Sequence, residues 1–132
     1  MLLEEDGLLS PIHITHLSDG TLRYLCLLAI LFNPSRGSFI CIDEPEVGLH
    51  PDMLKLVANA IQQAAEDSAL LIATHSEHIL NQFQIKAIRV FEKDTSNETM
   101  VLTYEEADFE GWYERFNPGQ MWRAGGLGGN RY

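Results

Sequence analysis

The chain alternates blocks of apolar residues with short polar segments, and the length and spacing of each block predict one element. The first long block, TLRYLCLLAILF at 21–32, is apolar on almost every side and ends before Pro34 and Gly37. It predicts a largely buried helix followed by a turn. The next block, SFICI at 38–42, is short, continuous and rich in β-favouring residues, which predicts a central strand.

A second helix and a second strand follow in the same order. Residues 51–67 repeat apolar side chains at the spacing of one helix face, and Pro51 suits the first turn of a helix. The block ALLIA at 69–73 predicts another buried strand, and SEHILNQF at 76–83 predicts a short helix.

Two further β-favouring segments, 87–93 and 99–105, flank the polar stretch DTSNE and predict two strands arranged as a hairpin. The order strand, helix, strand, helix, strand favours parallel pairing with right-handed crossovers. The predicted fold class is therefore α/β, with a mostly parallel sheet and helices on both faces. Ligands in such sheets bind at the carboxyl ends of the strands.

The last segment, NPGQMWRAGGLGGNRY, is rich in glycine and predicts an irregular tail that docks through Trp122. The glycines around this tryptophan are Gly119, Gly125, Gly126, Gly128 and Gly129.

Composition and charge narrow the class of protein. With 132 residues, 45% of them hydrophobic, the chain is expected to be one domain or a piece of one. Nineteen acidic residues against nine basic ones give a net charge of −10, which disfavours non-specific attraction to nucleic acid. Cys26 and Cys41 lie inside apolar blocks, which predicts buried thiols and a reducing cytoplasm.

Neither a secretory signal nor a membrane span is expected. The amino terminus lacks a basic region followed by a long apolar stretch. The longest apolar run, residues 24–32, is far below the roughly 20 residues that cross a bilayer.

Two adjacent carboxylates, Asp43 and Glu44, end the first predicted strand and are followed by Pro45 and Gly48. Strands often end in polar residues, so the pair alone does not establish a site. The functional alternative is that one carboxylate helps to hold a hydrated Mg²⁺ while the other polarises a water for attack on a phosphate. Adjacent positions of an extended segment point to opposite sides, which suits two different tasks.

Ser18, Asp19 and Gly20 stand immediately before the predicted helix at 21–32. An ordinary helix cap by Ser18 or Asp19 explains them. The sharper hypothesis is a phosphate site, because backbone N–H groups and the positive end of the helix would face an anion there.

Thr74, His75 and Ser76 stand at the tip of the second predicted strand. A histidine there is often a structural hydrogen-bonding residue, and the functional alternative is contact with a terminal phosphate. His50 and His78 are candidates for a metal cluster with the acidic pair. No H-x-x-x-H or similar helix spacing supports zinc, so this cluster is disfavoured.

In their order and spacing these segments resemble the ABC-type ATPases, in particular the RecF, SMC and OLD-like branch (AAA15/AAA21-type), over about residues 10–92. LSDGTLR at 17–23 resembles their signature motif and FICIDEP at 39–45 their Walker B motif. EVGLHP at 46–51 resembles their D-loop, and ATHS at 73–76 their switch-histidine segment. The ending MWRAGGLGGNRY is similar to the Trp and Gly-Gly ending of some members.

The resemblance implies a role for each matching residue. Asp43 would hold Mg²⁺ through water, and Glu44 would be the general base that orients the attacking water. His75 would contact the γ-phosphate of ATP in the same subunit. Ser18 and Gly20 would contact the γ-phosphate of a nucleotide held by the opposite subunit. The subunit seam would be lined by Val47, Gly48, Leu49 and His50.

The resemblance also implies a head-to-tail dimer that closes around two ATP molecules and opens after hydrolysis. The sequence departs from the family in one respect: the P-loop, G-x-x-x-x-G-K-[ST], has no counterpart in it. We therefore expect residues 1–105 to be the carboxyl-terminal part of an ABC-type ATPase domain and 106–132 a carboxyl-terminal extension. The expected partners are a second copy or a P-loop-bearing chain, with nucleic acid contacted only through the full assembly and no membrane.

Two alternatives of other classes stay open at this point. One is a non-enzymatic interaction module, a degenerate ATPase remnant that pairs with a partner through an exposed sheet edge or its signature helix. The other is a metal-dependent phosphoesterase that uses Asp43, Glu44 and the histidines.

Overall fold

The computed structural model describes residues 2–4, 10–109 and 116–128. The chain folds into two units, Met1–Ala73 and Thr74–Tyr132. The strands in the described ranges form three separate two-stranded sheets. Within those ranges, none of the helices has the length and apolar character needed to cross a membrane.

The first unit is built around a β-α-β arrangement. Its elements in chain order are β1 (Leu2–Leu3), β2 (Ile12–His13), a 3₁₀-helix (Ile14–His16), α1 (Asp19–Leu31), β3 (Phe39–Asp43), α2 (Pro51–Ala64) and β4 (Ala69–Ala73). Strands β1 and β2 pair antiparallel, whereas β3 and β4 pair in parallel. The parallel register places Phe39 opposite Ala69 and Asp43 opposite Ala73, so both strands end at the same edge.

Helix α2 follows its predicted pattern closely. Pro51 lies in its first turn, and the His50 side chain caps it. Its apolar stripe is buried and consists of Leu54, Val57, Ala58, Ala60, Ile61 and Ala64. At about 25 cal/mol per Å² of apolar surface, burial of this stripe is the main reason why the helix is stable in this unit.

Helix α1 does not show the predicted burial. Only Leu31 is fully buried, while Cys26, Ala29 and Ile30 are exposed. The sequence of this helix is apolar on all sides, but α1 packs mainly against α2, which covers one stripe of it. The prediction of a largely buried helix is therefore wrong.

The predicted buried strands are also open on one face. Phe39 is 60% exposed on β3 and Leu71 is 51% exposed on β4, while Ile40 and Ile42 on the alternate positions are half-buried. Cys41 shares the outward face with Phe39, and both Cys41 and Cys26 are exposed free thiols. The prediction of buried cysteines is wrong because strand alternation and the uncovered side of α1 place both thiols outward.

The second unit contains a hairpin, two short α-helices and two 3₁₀-helices in its described residues. The hairpin and the α-helices are α3 (Glu77–Leu80), β5 (Arg89–Lys93), β6 (Thr99–Thr103) and α4 (Pro118–Arg123), and the 3₁₀-helices are Ile85–Ala87 and Glu106–Phe109. Strands β5 and β6 pair antiparallel, as the sequence predicts for a hairpin. The hydrophobic core of this unit consists of Ile85, Ile88, Val90, Met121 and Leu127.

The glycine-rich end is more ordered than predicted. Residues 118–123 form helix α4, which begins with a capping box: the Asn117 side chain accepts from the Gln120 N–H, and the Gln120 side chain accepts from the Asn117 N–H. Met121 is buried in the core and Trp122 packs against it, so the predicted docking through this tryptophan is confirmed. The prediction of a wholly irregular tail is wrong, and Gly129 lies outside the described residues.

The predicted α/β class is confirmed, because helices alternate with strands and β3 and β4 pair in parallel across α2. Parallel pairing does not extend to the third predicted strand. In the described part of the chain, β5 pairs with β6 alone and runs antiparallel to it.

Tyr104 ties the hairpin to the end of the chain, since its hydroxyl donates to the Leu127 carbonyl. Burial, and to a smaller extent the Glu92 carboxylate, raises the pKa of this phenol above its ordinary value. The folded state therefore holds the proton more tightly than the unfolded state. This contribution to stability is complete below the unfolded pKa of about 10 and is lost as the pH rises past it.

We therefore expect the free energy of unfolding of the second unit to fall above about pH 10, because the phenolate can no longer donate to Leu127. Tyr104→Phe should lower this free energy by about 1 kcal/mol at neutral pH and remove part of the alkaline decline. Urea unfolding followed by tryptophan fluorescence between pH 8 and pH 11 measures both effects, since Trp122 packs against the core of this unit. An unchanged alkaline decline in Tyr104→Phe would assign it to other groups.

Candidate functional site

The acidic pair lies at the carboxyl edge of the parallel strands. Asp43 is the last residue of β3, and the Glu44 N–H donates to the Ala73 carbonyl at the end of β4 over 2.8 Å. Both carboxylate side chains are exposed. The pair is therefore fixed at the backbone and open to solvent, at the edge where parallel sheets bind ligands.

Glu44 has an unusual backbone conformation. Its φ is +46°, in the left-handed region that non-glycine residues seldom adopt. Such a conformation costs on the order of 1–3 kcal/mol and persists only where neighbouring contacts impose it. Two hydrogen bonds do so here: the bond to Ala73, and a bond of 3.1 Å from the Val47 N–H to the Glu44 carbonyl.

The segment after the acidic pair is a hydrogen-bonded turn. Besides the Val47 bond, the Leu49 N–H donates to the Glu46 carbonyl over 3.1 Å, and Gly48 has a φ of +76°. His50 ends the turn and caps α2, because its Nδ1 accepts from the Asp52 N–H. Val47 and His50 are exposed, whereas Leu49 is half-buried. The predicted role of this segment in a subunit seam stays a prediction.

The start of α1 carries the signature-like residues. Ser18 is the N-cap, and its Oγ accepts from the Thr21 N–H over 3.1 Å and bonds the Thr21 hydroxyl over 2.8 Å. The helix begins at Asp19, so Gly20 lies in its first turn rather than before it. The ordinary capping role considered for Ser18 is therefore present, and contact with a phosphate stays a prediction.

Gly20 brings the start of α1 against the turn after the acidic pair. A Cβ at this position would lie 2.8 Å from the Gly48 carbonyl oxygen, so no side chain fits there. Arg23, one turn further along the helix, donates from Nη1 to the Val47 carbonyl over 3.1 Å. Two of the three predicted segments, the helix start and the acidic turn, are thus in direct contact within the first unit.

The third segment follows β4 in the chain. The Thr74 Oγ1 accepts from the Ser76 N–H over 3.0 Å, and the Ser76 Oγ accepts from the Ile79 N–H over 3.4 Å to cap α3. His75 lies between these two turn-forming residues, and its side chain is exposed. The local fold thus fixes the backbone on both sides of His75, and its contact with a γ-phosphate stays a prediction.

A multidentate metal centre finds no support in the part of the chain that the structure describes. No group of three or more His, Cys, Asp and Glu side chains is placed there to hold a metal ion. Mg²⁺ does not require such a group, since it commonly keeps several waters and binds one or two carboxylates together with substrate phosphates. A single exposed carboxylate such as Asp43 fits that chemistry.

Two features of this site are missing from the predictions made from the sequence. The strained backbone of Glu44 has no signal in a one-dimensional pattern, because strain depends on the hydrogen bonds that impose it. Arg23 lies within LSDGTLR, but only the fold brings it to Val47, 24 positions away.

Comparison with solved structures shows a related fold. One similar chain comes from a study of ATP-driven dimerization and DNA-stimulated activation of SMC ATPases: the TM-score is 0.55 at 17% identity, over 80% of this chain and 65% of that one. Another is the SmcHead bound to the C-winged helix domain of ScpA, with a TM-score of 0.57 at 18% identity, over 76% of this chain and 31% of that one. This chain therefore spans about two thirds or less of these structures.

At the level of sequence, no curated protein matches the chain. A family model does match it, over residues 1–81, and that range includes the helix start, the acidic turn and His75. The family is described as "AAA domain, putative AbiEii toxin, Type IV TA system". Because the match spans more than half of the 132 residues, and the fold resembles that of SMC ATPase heads, the chain belongs to this family of AAA-type ATPase domains.

Proposed function

We propose that this chain is the part of a cytoplasmic ABC-type ATPase, of the DNA-repair or phage-defence kind, that carries the signature and Walker B motifs. In this proposal Glu44 is the general base, Asp43 holds Mg²⁺ through water and His75 contacts the γ-phosphate of ATP. Ser18 and Gly20 meet the γ-phosphate of a nucleotide that the opposing subunit holds.

One observation carries the proposal: Glu44 is held in a strained conformation at the carboxyl end of a parallel strand pair, beside Asp43. A glycine at this position would adopt a φ of +46° at little cost. Glutamate adopts this φ only at an energetic cost. The presence of glutamate rather than glycine therefore favours the explanation that the carboxylate itself is needed. Strain of this kind concentrates at catalytic sites, where a side chain must be held in one direction.

The local surroundings suit a base that acts on water. Glu44 is exposed, so a water molecule and a phosphate have access to its carboxylate. Its N–H and carbonyl are both bonded, to Ala73 and Val47, so its backbone is held in place during the reaction. Asp43 precedes it at the last position of β3, where a carboxylate can face a hydrated cation without competing for the same water.

The phosphate cradle must come from another polypeptide segment, since the sequence has no P-loop. We use the name P-loop partner for a segment with the G-x-x-x-x-G-K-[ST] motif, encoded in frame upstream or in a neighbouring gene. Its lysine and backbone N–H groups would hold the β- and γ-phosphates. One of the two similar structures comes from a study of ATP-driven dimerization and DNA-stimulated activation of SMC ATPases, which supports an assembly of two heads with nucleic acid contacted by the whole complex.

The chain by itself is expected to show no ATP turnover above the buffer rate, because Glu44 has no held triphosphate to act on. Phosphate release with ATP and Mg²⁺ measures this, with Glu44→Gln as the comparison; the two proteins should give the same rate. Turnover in the isolated chain that Glu44→Gln abolishes would contradict the proposal that a P-loop partner is needed.

A second candidate function is a non-enzymatic interaction module. It is favoured by the apolar side chains on the outward face of the parallel pair, where Phe39 and Leu71 are more than half exposed. A double replacement, Ser18→Ala with Glu44→Gln, distinguishes the two functions. Binding of the P-loop partner that is independent of ATP and unchanged by both replacements would support the interaction module over the ATPase.

A further inference from the structure

Resting on the proposed function, we infer that Arg23 is a positioning residue that holds the start of α1 and the Glu44 turn in one fixed geometry. The hydrogen bond of Arg23 goes to the turn after the acidic pair and not to Asp43 or Glu44. Arg23 acts through the backbone of Val47 and Gly48, which lie between Glu44 and α2 in the chain.

The first contact is a hydrogen bond from the Arg23 Nη1 to the Val47 carbonyl, 3.1 Å long. This hydrogen bond is exposed to solvent, so its contribution to the free energy of unfolding is modest.

The second contact is steric. A Cβ built on Gly48 would lie 3.1 Å from the Arg23 Cδ and 3.2 Å from its Nε, so the arginine stem lies directly over this glycine. The absence of a side chain at Gly48, together with its φ of +76°, allows both the turn and the close approach of Arg23.

The third contact is between the first turn of α1 and the Gly48 carbonyl. The Gly20 position lies against the Gly48 carbonyl, with room for no Cβ between them. Gly20 and Arg23 are one turn apart on the same helix and face the same segment. Helix α1 therefore contacts the carbonyl groups of two consecutive residues of the turn, Val47 and Gly48.

Hydrogen bonds within the turn connect these contacts to Glu44, the proposed base. The Val47 N–H donates to the Glu44 carbonyl, and the Glu44 N–H donates to Ala73. A shift of the Val47 peptide would therefore move the residue whose left-handed backbone aims the carboxylate. Ser18 caps the same helix that Arg23 anchors, so the two proposed phosphate-facing segments would keep one relative position.

The first test uses the chain alone without nucleotide. Arg23→Met keeps an unbranched stem over Gly48 and removes the guanidinium donors. We expect amide hydrogen exchange at Val47 and Leu49, whose N–H groups are bonded within the turn, to become about fivefold faster. Arg89→Met is the matched control, since Arg89 donates to two backbone carbonyls of the second unit. Unchanged exchange in Arg23→Met would overturn the inference.

The second test uses the complex with the P-loop partner. Arg23→Met should lower kcat for ATP hydrolysis by about tenfold, because misplacement of a catalytic group slows the chemical step. The KM for ATP should stay within about twofold, since Arg23 is not proposed to contact the nucleotide. A rise in KM at unchanged kcat would overturn the positioning role.

The two tests separate this inference from the proposed function. If the unmodified complex shows no turnover while Arg23→Met speeds exchange in the turn, the proposed ATPase function fails and the positioning role is upheld. If turnover is present but neither exchange nor kcat responds to Arg23→Met, the positioning role fails and the proposed function is upheld.

Discussion

Replacing Glu44 by glutamine is expected to lower ATP turnover by about 100-fold or more in the complex of this chain with the P-loop partner. Glutamine keeps the length and shape of the side chain and its capacity to accept a hydrogen bond. It cannot take a proton from the attacking water, which is the task proposed for Glu44. The backbone bonds to Ala73 and Val47 remain, so the site geometry is expected to survive.

Phosphate release at saturating ATP and Mg²⁺ measures this effect as a change in kcat. Glu98→Gln is the matched control, because Glu98 is an exposed glutamate beside the hairpin turn of the second unit. It removes one negative charge from the same chain and should leave turnover within about twofold. A Glu44→Gln complex that retains at least a third of the wild-type kcat would remove Glu44 from the role of base.

The strain at Glu44 offers an additional comparison. Glycine adopts a φ of +46° without the steric cost that a side chain imposes, so Glu44→Gly should leave the first unit at least as stable as before. It should be as inactive as Glu44→Gln. A variant that is stable yet inactive would link the backbone cost of this turn to catalysis rather than to folding.

The elements that position this site were predictable because their signals are local. Continuous β-favouring blocks predicted β3 and β4 to within one residue, and the period of α2 predicted its buried stripe. The acidic pair falls at a strand end in the sequence as in the structure, since a change from apolar to charged residues marks the end of the strand. Such features need no knowledge of distant contacts.

The features that were not predicted depend on which other segments pack against each element. An apolar block specifies that a surface needs covering, and it does not specify whether the chain itself covers it. The side of α1 that α2 does not cover and the outward face of β3 and β4 are apolar yet exposed, which also accounts for the two exposed cysteines. Helix α4 was not predicted because the surrounding glycines indicated an irregular segment. The signals for a helix were weaker and consist of the capping box, Asn117 with Gln120, and the buried Met121.

Gly119 is an example of a residue type that is required by a contact between two helices, α3 and α4. It lies in α4, where helix propensity alone would favour alanine over glycine by about 1 kcal/mol. However, a Cβ there would overlap the Glu77 carbonyl oxygen and lie 2.5 Å from the Asn81 Oδ1. The same Asn81 oxygen accepts from the Gly119 N–H over 2.7 Å. Helices α3 and α4 therefore meet at a point with no space for a side chain.

Gly119→Ala is accordingly expected to destabilise the second unit by about 3 kcal/mol, because overpacking and loss of the Asn81 hydrogen bond outweigh the gain in propensity. For a unit of this size the midpoint of thermal unfolding should fall by roughly 12–24 °C. Tryptophan fluorescence during heating measures this fall, since Trp122 packs against the core of the second unit.

Gly125→Ala is the control that separates steric overlap from backbone strain. Gly125 has a φ of +79°, and nothing lies within 4 Å of a Cβ built there. Only the left-handed backbone should matter at that position, at a cost of about 1 kcal/mol. If Gly119→Ala and Gly125→Ala lowered the unfolding midpoint equally, the close contact between α3 and α4 would not be what requires glycine at position 119. A clearly larger loss in Gly119→Ala would mean that the close packing of α4 against α3 is what requires glycine at position 119.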